Sequence, residues 1–388
     1  MFMLRLTLGS LLLCLLAGGR TQAQPVYFIT SSSVLSSNTL DSVATNGSGK
    51  STLLTATGID LNKITRCTAV AVDGLNNKLF FVDGVANSLW RVNLDGTGLF
   101  QVKSGLVNYP TDLALDGLNE KIYYTTSSTI QSNNTVQVMD YTGSNNATLF
   151  TALGGTGVCR CTALAVDIPH SKIFIADAGT NKIWSLSLAG AGLTALATTA
   201  SNSFPTGVAL DVTNQQVYFS VSSTVQNLNS IQRVNYNGSG LLTRYTASGS
   251  VQRCTALDLD VAHDLVYFSD AAANSLWRLV LNSDTPTALV SGLPATAKKV
   301  RWFSGLTTRP PPFLAGLQRS GTNIILNATN GFVGGSYYLL TSTNLAAPLS
   351  QWLPVSTNVL GASGNFTLTA TNTFADKTPQ RFYILRVQ

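Results

Sequence analysis

Three copies of Arg-Cys-Thr precede a short apolar run: "RCTAVAVD" from Arg66, "RCTALAVD" from Arg160 and "RCTALDLD" from Arg253, first 94 and then 93 residues apart. A thiol beside a guanidinium invites a redox or metal reading, because a neighbouring cation favours the thiolate. Two sister copies argue otherwise. "YPTDLALD" from Tyr109 and "FPTGVALD" from Phe204 carry proline in the cysteine's place and an aromatic ring in the arginine's. Cys67, Cys161 and Cys254 therefore read as small buried apolar residues. They lie in alternate repeats, beyond the ~7 Å Cα separation that a disulfide tolerates. Cys159 stands outside the repeat pattern and would pair only if a loop brought it to a neighbour.

Other reactive types are scarce. Glu120 is the only glutamate, and the only histidines, His170 and His263, fall in matching turns. A lactonase-type propeller site would want a glutamate, asparagines and an aspartate around a metal at a channel mouth, whereas Glu120 lies in the turn "DGLNEK" at the opposite end. No Ser-His-Asp order, Cys-x-x-Cys pair or His-x-x-x-His spacing is present. Asp73, Asp116, Asp167, Asp211 and Asp260 end the same strand in five repeats. A calcium site could use such carboxylates, but one per repeat fits turn capping, in which Asp bonds the backbone two residues on. Trp90, Trp184 and Trp277 recur in a third strand, where aromatics could form a carbohydrate-stacking platform, but the same position in every odd repeat points to packing between neighbouring sheets. No catalytic residue, metal or cofactor is assigned.

These residues sit on a repeating frame. Each unit holds four strand signals, as in "TAVAV", "KLFFVD", "SLWRVNL" and "LFQVK". The first is apolar throughout and the later ones alternate, so the first strand is innermost and the last outermost. The tetrads "DGTG" at Asp95, "TGSN" at Thr142, "AGAG" at Ala189 and "NGSG" at Asn237 mark tight hairpins between the third and fourth strands. Five units are complete. The sixth is split: "VYFITSSSVLSSNTLDSVATNGSG" from Val26 aligns with the segment from Val217 but lacks a first strand, which "SGLPATAKKVRWF" from Ser291 supplies over Lys298 to Phe303. A missing strand at one end and a spare at the other close a ring. A linear solenoid would instead need a capping repeat at each end.

The fold class expected is therefore all-β: a six-bladed β-propeller of pseudo-threefold symmetry over 24–306, then a Pro-rich linker over 307–313 and a small β-sandwich over 314–388. The sandwich rests on short alternating segments such as "NIILNAT", "SYYLLTSTN" and "RFYILRV". The segment "AVDGLNNKLFFVDGVANSLWRVNLDGTGLFQV", residues 71–102, resembles the YWTD repeat of low-density-lipoprotein-receptor-type propellers. Leu79, Phe80, Phe81, Val82 and Asp83 stand at its signature, and Asp177 and Asp270 hold the aspartate's place in the other odd repeats. The even repeats depart from it with "YYTTSS" and "YFSVSS" and a longer following loop. The resemblance implies a six-bladed extracellular binding propeller with a structural aspartate, and names no ligand. The C-terminal pattern is similar to a module found on many secreted bacterial proteins.

In such a ring the entry to each innermost strand lies at the channel mouth. Reading that position around the axis gives Arg66, Tyr109, Arg160, Phe204, Arg253 and Thr296. Guanidiniums alternating with aromatics could hold a carboxylate, sulfate or uronic-acid group through charge-assisted hydrogen bonds. Equally, each arginine could stack on the adjacent ring, a contact worth ~0.5–1 kcal/mol when exposed. Both readings stand at this point.

Residues 1–23 read as a secretory leader: Arg5, then the apolar "LTLGSLLLCLLAGG", then Thr21 and Ala23 at the positions before a cut. The apolar run falls short of the ~20 residues that span a bilayer. Loss of Arg5 and Arg20 with the leader leaves 22 basic against 18 acidic side chains, a net of +4. With 11% charged residues and no basic run, nucleic acid is not an expected partner. The expectation is a chain secreted to the extracellular space or periplasm, without a membrane span. It would bind an extracellular protein or glycan, with anionic ligands in view. The alternative is an extracellular propeller hydrolase or lyase acting on a small or sugar-derived substrate.

Overall fold

The computed structural model describes residues 25–302 apart from 58–63, 75, 118, 153–156, 284 and 295. At the chain ends it describes 4–7, 10–12 and most of 313–387. Six four-stranded antiparallel sheets occupy the first of these regions. Blade 1 is Cys67–Asp73, Lys78–Asp83, Ser88–Asn93 and Phe100–Lys103. Blades 2 to 5 repeat that order from Tyr109–Asp116, Cys161–Asp167, Phe204–Asp211 and Cys254–Asp260. Blade 6 is composite, with Thr296–Trp302 paired to Pro25–Ser31, followed by Thr39–Ala44 and Ser51–Thr55. The innermost strands neighbour one another in sequence, and that of blade 6 meets blade 1 as well as blade 5. The split sixth repeat thus closes a ring, two residues earlier at its start than the sequence alone suggests.

Burial grades outward as the apolar patterns require. Cys67–Asp73 is buried at all but one position, whereas Ser51–Thr55 is half-buried or exposed throughout. Between each pair of neighbouring blades lies one apolar cluster. Tyr27, Ile29 and Leu40 of blade 6 pack on Val70, Phe81 and Trp90 of blade 1, and the other five interfaces repeat the arrangement. Trp90, Trp184 and Trp277 each join the cluster between their blade and the preceding one. Their indole nitrogens are satisfied locally, Trp90 Nε1 donating to Ser88 Oγ at 2.8 Å and Trp277 Nε1 to Ser275 Oγ at 2.7 Å. Burying a side chain of this size stabilises by roughly 1.5–3 kcal/mol, so these tryptophans are packing residues. In the third hairpin of blade 3, Gly190 adopts φ +79° and a Cβ there would lie 1.9 Å from Leu149 O of blade 2. Only glycine fits both the turn and the approach.

The other compact unit combines 1–22 with 306–388. Phe313–Ser320, Asn323–Thr329 and Phe366–Ala370 form one sheet, and Ser336–Ser342, Leu353–Val359 and Gln380–Val387 belong to another. Ile324, Leu326, Phe366 and Leu368 of the first share a cluster with Tyr337, Leu339 and Tyr383 of the second, giving two sheets face to face. The Pro-rich linker lies outside the described residues except Phe313, which opens a strand. Most of the expected leader also lies outside them. Its described parts, Leu4–Thr7 and Ser10–Leu12, pair with each other, and Leu4–Thr7 pairs with Gln380–Val387.

Candidate functional site

The repeated Arg-Cys-Thr resolves residue by residue. Cys67, Cys161 and Cys254 are buried free thiols, each paired across the blade with the structural aspartate: Asp83, Asp177 or Asp270. Burial, reinforced by that carboxylate, pushes all three thiols well above their ordinary value, so none is a thiolate nucleophile. Cys159 is also free and half-buried, and its sulfur accepts from Gln131 Nε2 at 3.1 Å.

The structural aspartates knot two loops together at the mouth. Asp177 accepts the backbone N–H groups of Cys159 and Arg160, both at 2.8 Å, from the entry loop, and that of Gly179 from the next hairpin. Thr180 Oγ1 and Trp184 Nε1 also donate to it. Asp270 does the same with Gln252, Ala272 and Ala273. At the opposite end the strand-ending aspartates cap turns, reaching three residues on rather than the two expected. Asp73 Oδ1 accepts from Asn76 N at 3.1 Å while Oδ2 accepts from Asn76 Nδ2 at 2.7 Å. His170 and His263 fill the asparagine's role, with Nδ1 at 2.8 and 2.7 Å from Asp167 and Asp260. These oxygens are engaged by their own turns. Glu120 sits exposed in such a turn at φ +51°.

Threonine carries the geometry of the inner ring. Each innermost strand has a β-bulge, and in five blades the extra residue is Thr68, Thr111, Thr162, Thr206 or Thr255. A bulge turns the extra side chain out of the ladder, and three of these hydroxyls reach the next blade. Thr68 Oγ1 donates to Pro110 O at 3.0 Å, Thr111 Oγ1 to Cys161 O at 3.1 Å and Thr162 Oγ1 to Pro205 O at 2.9 Å. The recurrence of this threonine with either cysteine or proline was its only signal in the sequence.

All five threonines line a cavity of about 820 Å³ at the channel mouth. Arg66, Tyr109 and Arg160 line it too, with Ser31, Ser127, Ser128 and Thr129 from the rim, and none of these described lining residues is a carboxylate. Arg66 is anchored, its Nε and Nη2 donating to Ser32 O of blade 6 at 3.3 and 3.2 Å. The Tyr109 hydroxyl bonds the same guanidinium; its phenol is nonetheless raised, because burial outweighs the nearby cation. Arg160 is exposed to the cavity. Arg253 and Phe204 do not line it: Arg253 is half-buried with Nε enclosed, and Phe204 is 41% exposed beside the mouth. Among the described residues no entry arginine stacks on an aromatic ring; the cation–π pairs are Lys50 with Phe28, Arg91 with Phe100 and Lys182 with Trp184.

The longer loops of the even blades rise on the same face. Each is stapled by one asparagine: Asn38 Nδ2 donates to Ser32 O, Val34 O and Leu35 O and its Oδ1 accepts from Ser32 N. Asn134 and Asn229 repeat the pattern. Each loop carries an aliphatic tip, Val34 at 58%, Ile130 at 61% and Val225 at 51% exposure. The mouth therefore has a pseudo-threefold apolar rim around a polar, cationic floor. A smaller cavity of about 360 Å³ on the opposite face mixes Asp211 and Asp264 with Arg233.

No family model matches the chain, and no curated protein sequence does. Solved structures do. A chain from a nidogen/laminin complex is similar at TM-score 0.57 and 16% identity, over 71% of this chain and 97% of that one. TolB from Acinetobacter baumannii is similar at TM-score 0.56 and 10% identity, over 72% of this chain and 66% of that one. At these identities the likeness shows the fold. The chain is a β-propeller. Among the described residues no helix is long and apolar enough to cross a membrane.

Proposed function

We propose that this chain is a secreted binding propeller of YWTD type, whose mouth face recognises an extracellular protein by drawing an acidic group into the cavity. The observation that carries the reading is the pairing of the cationic, carboxylate-free lining at Arg66 and Arg160 with the rim of Val34, Ile130 and Val225. Charge complementarity favours an anion. Three exposed aliphatic tips on stapled loops favour a protein surface over a glycan, because such tips supply apolar contact at small ordering cost. The leader expected at 1–23 and the resemblance to extracellular propellers support secretion. The similar chain in the nidogen/laminin complex belongs to an assembly of proteins, which is consistent with a protein partner. Binding is favoured over lactonase-like hydrolysis because Glu120 is at the opposite end and the aspartates are engaged in turns.

The test is a screen of extracellular proteins and glycans against the full chain and two variants. Replacing Arg66 and Arg160 together by Gln removes binding of the protein hits and flattens its salt dependence, while Arg253→Gln leaves both unchanged. Hits indifferent to the double variant, or hits confined to neutral glycans, sink the reading.

A further inference from the structure

The rim of the mouth is not evenly apolar. Val85 is 56% and Val107 69% exposed, and with Ile130 they stand over blades 1 and 2. Their counterparts elsewhere are smaller or polar. The residue two beyond the structural aspartate is Val85 in blade 1 but Gly179 and Ala272 in blades 3 and 5, and Asn202 precedes Pro205 at the distance from which Val107 precedes Pro110.

The three loops that carry these side chains are fastened to one another. Asp83 accepts the N–H groups of Val85 and Ala86 at 3.0 and 2.9 Å, and binds Thr65 of the entry loop as well. Leu106 N donates to Asn87 O at 2.8 Å, and Asn108 Nδ2 donates to Asn133 O at 3.2 Å. The Val107 loop is thus bonded on one side to the Val85 hairpin and on the other to the Ile130 loop. The Tyr109 ring lies against Gly84, where a Cβ would collide with it. Loops held in this way lose little freedom when a partner covers them, and contiguous exposed apolar surface rimmed by polar groups marks an interaction site.

A cation stands at each end of this ridge. At one end Arg66 is already engaged, by Ser32 O and by the Tyr109 hydroxyl. At the other, Gln131 Nε2 donates to Val158 O at 3.4 Å and Cys159 Sγ at 3.1 Å, which ties the Ile130 loop to the entry of blade 3, where Arg160 follows. Among the described residues no hydrogen bond holds the Arg160 guanidinium, which is exposed in the cavity. Phe204, Val225 and Leu228 make a second apolar patch over blade 4, but the next entry arginine, Arg253, is outside the described cavity lining. Apolar surface and a free guanidinium adjoin along blades 1 to 3.

We propose that the ridge of Val85, Val107 and Ile130 docks a protein segment that carries a large apolar side chain close to a carboxylate, the side chain covering the ridge and the carboxylate meeting Arg160. The inference rests on the mouth-binding reading and deepens it. An even threefold rim would accept a partner in three equivalent orientations; this ridge selects one.

Two polymers test this with the full chain at low salt: poly-L-glutamate, and a random copolymer of glutamate and tyrosine. The copolymer should bind about tenfold more tightly, the scale of one apolar side chain taken from water. Val85→Ser/Val107→Ser/Ile130→Ser should abolish that advantage and leave poly-L-glutamate binding in place, with a thermal melt verifying that the ring is folded. Arg160→Gln should weaken both polymers. Phe204→Ser/Leu228→Ser should keep the advantage; equal loss there would mean that any apolar group on the face serves, and overturns the ridge. No advantage of the copolymer, with poly-L-glutamate binding lost in Arg66→Gln/Arg160→Gln, overturns the ridge and leaves the mouth reading standing. Copolymer binding that survives Arg160→Gln overturns the pairing of ridge with carboxylate, and binding of neither polymer overturns both readings.

Discussion

Cysteine at the head of three blades makes chemistry look available where the structure removes it. Cys67, Cys161 and Cys254 are enclosed and face the carboxylates of Asp83, Asp177 and Asp270, so ionising any of them would bury a second negative charge. Their protons are held in the folded chain above the ordinary value of 9.0, at which the unfolded thiols ionise. The unfolded chain therefore binds fewer protons from pH 9 upward, and stability falls as pH rises there. Below that pH the contribution is fully present. Alkylation of the native protein at neutral pH should accordingly modify Cys159 while the three blade thiols react only on unfolding, which mass mapping of labelled peptides would reveal. Labelling of Cys161 as fast as Cys159 would contradict the burial argument. Cys159 was marked in the sequence only by standing outside the repeat, and its contact with Gln131 depends on an even-blade loop whose path no local pattern specifies.

At the scale of the strand, the bulge is the device that sequence comparison could count but not see. Aligning "RCTALAVD" with "FPTGVALD" places the threonines together, and strand order, burial gradient and hairpin tetrads were all legible from period and glycine position. The register shift was not, because the innermost strand is apolar throughout, so one extra residue interrupts no alternation that the sequence could show. The same holds for the asparagine staples: the lengthened even-blade loops were visible, whereas the bonding of Asn38, Asn134 and Asn229 to carbonyls several residues back was not. The arginine ring divides for a related reason. Entry position put Arg66, Arg160 and Arg253 in one class, but lining the cavity depends on loop trajectories that differ between blades, and Arg253 is excluded. The bulge carries its own prediction. Thr162→Val keeps the shape but removes the donor to Pro205 O and Ala176 O, and should destabilise the chain by about 1–3 kcal/mol in a denaturant titration. A change of a few tenths would mean that the hydroxyl fills space without joining blades 3 and 4.

For the whole molecule the decisive joint is the one the chain does not make by continuity. Blades 1 to 5 are each a single run of sequence, while blade 6 depends on Thr296–Trp302 finding Pro25–Ser31 across the full length of the propeller, in the register Thr296 to Ser31 through Trp302 to Val26. Forming it costs the loop-closure entropy of the intervening chain, a cost that other blades do not bear. Contacts that arrive last and cost most are where a closed ring opens first. Amides of Val26 to Ser31 should therefore lose hydrogen-exchange protection before those of Cys161–Asp167 as denaturant rises. Phe28, which pairs with the closing strand, is fully buried in the apolar cluster between blades 5 and 6. Phe28→Ala should therefore cost about 3–5 kcal/mol and confine its first losses of protection to blade 6 and its neighbours. Simultaneous loss in all six blades would instead make the ring one cooperative unit whose seam is as strong as its continuous blades.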